Sequence, residues 1–122
     1  MACLLSCKQT MSRLNEVGAQ SSLRSIRKAE TTYRLQNGQN RFGTLLELHA
    51  RDLVDAKLAS GVKDGYRYQV TVGNNSFTAI ATPLEYDVTG SWSFYVDESG
   101  VIRGSVTQGK VPGVNDRPVR DQ

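Results

Sequence analysis

Tyr66-Arg67-Tyr68-Gln69-Val70-Thr71-Val72-Gly73-Asn74-Asn75-Ser76-Phe77-Thr78-Ala79-Ile80-Ala81-Thr82-Pro83 decides the fold class. Tyr66, Tyr68 and Val70 alternate with Arg67, Gln69 and Thr71, the period of a strand with one buried face. Gly73-Asn74-Asn75 supplies turn chemistry. Phe77, Ala79 and Ala81 then alternate with Thr78, Ile80 and Thr82. Pro83 closes the second strand because it cannot donate to a ladder. A hairpin of this kind leaves one apolar face in need of a cover.

Working outward, residues 84–90 read as a loop closing at Gly90. Trp92, Phe94 and Val96 alternate with Ser93, Tyr95 and Asp97 in a third strand. Asp97-Glu98-Ser99-Gly100 is a turn, and residues 101–106 form a weaker fourth strand. Trp92, Phe94, Tyr66 and Tyr68 are expected in the core, each contributing about 2–3 kcal/mol when fully buried. Tyr95 points the other way. Beyond Val106, residues 107–122 lack periodicity and contain Pro112 and Pro118, the pattern of a disordered tail.

Toward the N-terminus the period becomes helical. Leu14, Val17, Ala19, Leu23, Ile26, Ala29 and Tyr33 fall largely three and four residues apart, so a helix is expected over residues 12–35. Its start is thinly apolar, and its earlier turns are expected to project from the body. Gly38 is placed to end it as a left-handed cap. Thr44 and Glu47 have capping-box spacing, which opens a short helix at Leu45. Asp52 or Asp55 opens a further turn through Leu58, ended by Gly61. The expected fold is therefore α+β: a long N-terminal helix packed on a four-stranded antiparallel β-meander, with short helical turns between. Residues 12–106 form the domain, after a frayed or lipidated segment over residues 1–11.

The totals restrict function. A chain of 122 residues is one ordinary domain. Fifteen Lys plus Arg against twelve Asp plus Glu leave +3, spread along the chain, so no nucleic-acid partner is indicated. Arg24, Arg27 and Lys28 form the densest basic group and read as a solvated helix face. Catalysis would depend on His49, the single histidine. No Gly-x-Ser-x-Gly elbow accompanies it, and it reads as a surface or packing residue rather than a base. No catalytic residue, small-molecule substrate or enzyme activity is assigned.

Cys3 and Cys7 cannot form a zinc site with only one histidine available. Glu85 and Asp87, with Asp97 and Glu98, could reach a calcium ion, but no Asp-x-Asp-x-Asp-Gly loop occurs and Asp97 to Gly100 suits a hairpin turn. No glycine-rich phosphate loop lies between a strand and a helix. Hence no metal and no cofactor is assigned. No run of about 18 apolar residues is present to cross a membrane. Leu4-Leu5-Ser6-Cys7 resembles a bacterial lipobox, which makes Cys7 a candidate for lipidation and for a membrane anchor.

Three motifs carry a family resemblance: Ala29-Glu30-x-x-Tyr33 at a helix end, Ser60-Gly61-x-Lys63-x-Gly65-Tyr66 leading into a strand, and Asp97-x-Ser99-Gly100-x-Ile102-Arg103 in a final hairpin. Over Ser21 to Val106 the chain resembles the head domains of type IV pilin-like proteins and type II secretion pseudopilins. The prepilin cleavage site and apolar anchor helix of that family are not part of the match. The resemblance implies a non-enzymatic protein of the bacterial cell envelope, periplasmic or membrane-tethered, with a structural or protein-interaction role. It would be a truncated minor pilin or pseudopilin, or a pilin-like head held by a lipid on Cys7. Its partners would be envelope proteins, pilin-like subunits among them. A small periplasmic binding or inhibitor domain sharing only the architecture is the alternative.

Overall fold

The computed structural model describes residues 2–37, 40–106 and 112–119, with side chains from Met11 onward. The fold is α+β. Helix α1 spans Ala2–Gln36, followed by the short helices α2 (Leu45–Ala50) and α3 (Ala56–Ala59). Six strands follow: β1 (Val62–Lys63), β2 (Tyr66–Gly73), β3 (Ser76–Pro83), β4 (Ser93–Asp97), β5 (Arg103–Ser105) and β6 (Arg117–Pro118). Every neighbouring pair in the sheet is antiparallel, and the strand order follows the chain.

The decisive hairpin forms with the register its periodicity requires. Tyr66 pairs with Pro83 and Gly73 with Ser76. Tyr66, Tyr68, Phe77, Ala79 and Ala81 are buried. Helix α1 lies against β3 and β4, packing Ala19, Leu23, Ile26, Ala29 and Tyr33 onto the inner face of the sheet. Phe42 meets Phe77 edge-on at 4.9 Å between ring centroids. Thr44 and Glu47 make the capping box, and Asp55 caps α3 by accepting from the Leu58 N–H at 2.7 Å. These caps satisfy N–H groups that a helix start leaves free.

Among the described residues the sheet has six strands rather than four. One added strand, β1, joins β2 through Asp64-Gly65, both at positive φ (49° and 82°), the backbone twist that a two-residue hairpin turn needs. The other added strand falls in the region expected to be a disordered tail. There Arg117 pairs with Gly104, Pro118 pairs with Arg103, and the Val119 N–H donates to the Ile102 carbonyl at 2.6 Å. Residues 107–111 and 120–122 lie outside the described residues. So does Gly38, the expected cap; within the described chain, Asn37 Nδ2 donates to the Tyr33 carbonyl at 2.9 Å at the helix end.

Three further expectations change. The helix begins at Ala2, not Ser12, so the segment expected to be frayed is helical in its backbone. Trp92 is 41% exposed, because β4 starts one residue later and leaves the indole at the sheet rim, stacked beside Phe94. Leu14 and Val17, assigned to the packing stripe, are 59% and 50% exposed. At 3.6 residues per turn, Val17 falls on the side of the helix away from Leu23 and Ile26. A helix of 35 residues is about 52 Å long, whereas an eight-residue strand spans about 27 Å. The sheet therefore cannot cover all of α1, and the N-terminal turns extend past it.

Candidate functional site

The boundary between covered and uncovered helix is fixed by polar contacts with the β3–β4 loop. Asn15 Nδ2 donates to the Thr89 carbonyl at 2.9 Å. The Glu16 carboxylate accepts the backbone N–H groups of Ser91 and Trp92 at 2.8 and 3.2 Å. The Tyr66 hydroxyl donates to the Trp92 carbonyl at 2.6 Å, and burial pushes this phenol above its usual range. The loop is thus held from both the helix and the sheet. Ahead of this boundary Met11 and Leu14 are exposed on α1, and Val17 is exposed on the side of the helix away from the sheet. In the loop, Leu84, Tyr86 and Val88 are exposed and alternate with Glu85 and Asp87.

Two grooves run between α1 and the β5–β6 edge. One, of about 280 Å³, is flanked by Glu16, Trp92 and Arg117. The other, of about 570 Å³, has Arg24, Arg27 and Lys28 on the helix side and Val101, Ile102 and Val119 on the sheet side. The basic residues are solvated as expected, but the strands turn them into one wall of a concave surface. Neither ion pair among the described residues, Arg41–Glu47 and Lys63–Asp55, involves them.

Helix α1 also contributes a buried carboxylate. Glu30 is fully buried, and its Oε1 accepts from the Gly43 N–H at 2.7 Å. Its Oε2 has no hydrogen-bond partner among the described residues. Burial raises its pKa to about 7, the Gly43 N–H lowers it, and the nearby Glu47 charge raises it. The sequence contained a signal for this placement: Glu30 lies seven residues after Leu23 and four after Ile26, within the apolar stripe. Nothing comparable marked Asn15 and Glu16, because the loop they hold is more than seventy residues away in sequence.

The remaining candidates separate. His49 Nδ1 lies 3.0 Å from the Val54 carbonyl, linking α2 to the following turn. Asp97 accepts from the Ser99 N–H and hydroxyl and from the Tyr95 hydroxyl, the contacts of a closed turn. Asp87 accepts from the Ser91 hydroxyl at 2.6 Å. Among the described residues no three His, Cys, Asp or Glu side chains gather as a metal site. Nor is any helix of the described residues long and apolar enough to cross a membrane. The side chain of Cys7 lies outside the described residues.

In comparisons with known proteins, no family model, no curated protein and no solved structure matches this chain.

Proposed function

We propose that this chain is a non-enzymatic bacterial envelope protein with a pilin-like head, whose role is structural or through protein contacts. The observation that carries the reading is the division of α1. One face of its second half is buried beneath the sheet, while Met11 and Leu14, ahead of the turn that holds the β3–β4 loop, and Val17, on the side of the helix facing away from the sheet, are exposed. Apolar side chains on an extended helix offer a surface for neighbouring subunits. The motifs around Glu30, Gly65 and Gly100 support the same family. The chain would act as a minor pilin or pseudopilin, or as a lipoprotein tethered through Cys7. A photocrosslinking residue at Val17, introduced into the full chain in its native cells, tests the reading. Adducts with pilin-like subunits in the envelope fraction are expected; a chain recovered only from the cytoplasm, without adducts, would refute it. Labelling with a lipid precursor tests the tether, which unlabelled Cys7 would remove.

The exposed Trp92 favours a second reading, a small periplasmic binding or inhibitor domain. An indole beside a groove is a common recognition surface. A protein ligand that protects Trp92 from modification and leaves Val17 accessible would support this reading over the first.

A further inference from the structure

We infer that the loop Leu84-Glu85-Tyr86-Asp87-Val88 of one copy docks into the basic groove of a second copy of this chain. The inference rests on the reading of the protein as an interacting subunit and names its partner.

The two surfaces complement each other. The groove has three cations on one wall, Arg24, Arg27 and Lys28, with Val101 and Val119 across from them. The loop has two exposed carboxylates set between three exposed apolar side chains. Carboxylates and apolar groups presented together on this turn complement a groove with cations on one wall and valines on the other. The loop is also held before binding. Leu84 N–H donates to the Gly65 carbonyl at 2.9 Å, Thr89 is tied to Asn15, and Ser91 to Glu16. Less ordering entropy is then lost on association.

One copy cannot satisfy both surfaces by itself. The loop is fixed at the level of Asn15 and Glu16, and the groove begins at Arg24, eight residues beyond Glu16 on the same helix. At 1.5 Å per residue that separation is about 12 Å. A second copy set beside the first and staggered along α1 by a similar distance would present its loop to the first copy's groove. The two patches differ, so a single such contact is heterologous and leaves one loop and one groove free, through which it repeats head to tail.

The test uses the full chain in sedimentation at low and physiological salt. Self-association that weakens with salt is expected. The variants E85K/D87K and R24E/K28E should each associate at least tenfold more weakly. Arg27 is left unchanged because it packs on Gly100. Mixing the two variants should restore association, with the two alternating in equal proportion, because the reversed loop of one meets the reversed groove of the other and the unaltered loop meets the unaltered groove. That rescue also shows that both variants fold. Self-association unaffected by either variant, or a mixture that stays monomeric, would overturn the contact. So would a groove that binds only nucleic acid or anionic vesicles. If L14S/V17S alone abolishes association, the interacting-subunit reading stands and this loop contact is refuted. Val17 adducts in cells report on that reading independently of the charge reversals.

Discussion

The Glu30 carboxylate reaches across to the Gly43 backbone and takes its N–H at 2.7 Å, inside the core and without an ion-pair partner among the described residues. This bond ties the covered end of α1 to the approach to α2. A Cβ at Gly43 would stand 2.9 Å from the Tyr33 ring, so the backbone there comes close enough only because the residue is glycine. A buried carboxylate with one bonded and one unpartnered oxygen is costly to ionise.

Stability should therefore fall as pH rises through the neutral range. The folded pKa of about 7 lies above the ordinary value of 4.5, so between these values the folded state holds more protons than the unfolded state. The contribution is fully present below 4.5 and is lost as pH rises through about 7. Denaturant melts from pH 5 to 8 should show this slope, and E30Q, which keeps an acceptor for Gly43, should flatten it. Glu30→Ala should cost about 2–4 kcal/mol, from a cavity and an unpaired N–H. An unchanged slope in E30Q would assign the pH dependence to another group.

At the acid end the sign reverses. Arg41, followed by the Thr44 N–H, holds Glu47 at about 2, below its ordinary 4.5. Its contribution is present above 4.5 and is lost as pH falls through about 2. The pair is largely exposed, so its Coulombic share is small. Removing the cap with Thr44→Ala should cost about 1 kcal/mol at pH 7. Thermal melts of T44A and E47Q at pH 7 and pH 3 check this, with the E47Q deficit shrinking at the lower pH.

Glu16 decides where Trp92 sits. Replacing it with alanine should free the Ser91 and Trp92 amides, raise their hydrogen exchange and move the emission of the single tryptophan. E16Q retains an acceptor and should change both readouts less. Equal effects from the two variants would mean that charge, rather than the hydrogen bonds, holds the loop.

The Tyr66 hydroxyl anchors the same loop from the sheet side. Tyr66→Phe leaves the Trp92 carbonyl without this donor and should cost about 1 kcal/mol. Gly90→Ala should cost more, because its methyl group would overlap the Tyr66 ring and hydroxyl. Chemical denaturation of both variants checks the order, and a neutral G90A would show that the loop can move away from the tyrosine.

The sequence by itself determined the elements whose causes are local. Alternation from Tyr66 to Ala81 fixed the hairpin and its inner face. Helical spacing from Ala19 to Tyr33 fixed the cover, and Thr44 with Glu47 fixed the start of α2. Each depends on residues at most one turn or one hairpin apart. Only the tertiary structure decided what depends on distant pairing: that Arg117 and Pro118 return to β5, that Trp92 sits outside the ladder, and that Glu16 holds residues 91–92. Leu14 and Val17 show the same limit. Their spacing matched a helix, but burial required sheet on their side of it, and the sheet is too short and too far round to supply it. Arg24, Arg27 and Lys28 are a solvated face in one dimension; the folded strands make them the wall of a groove.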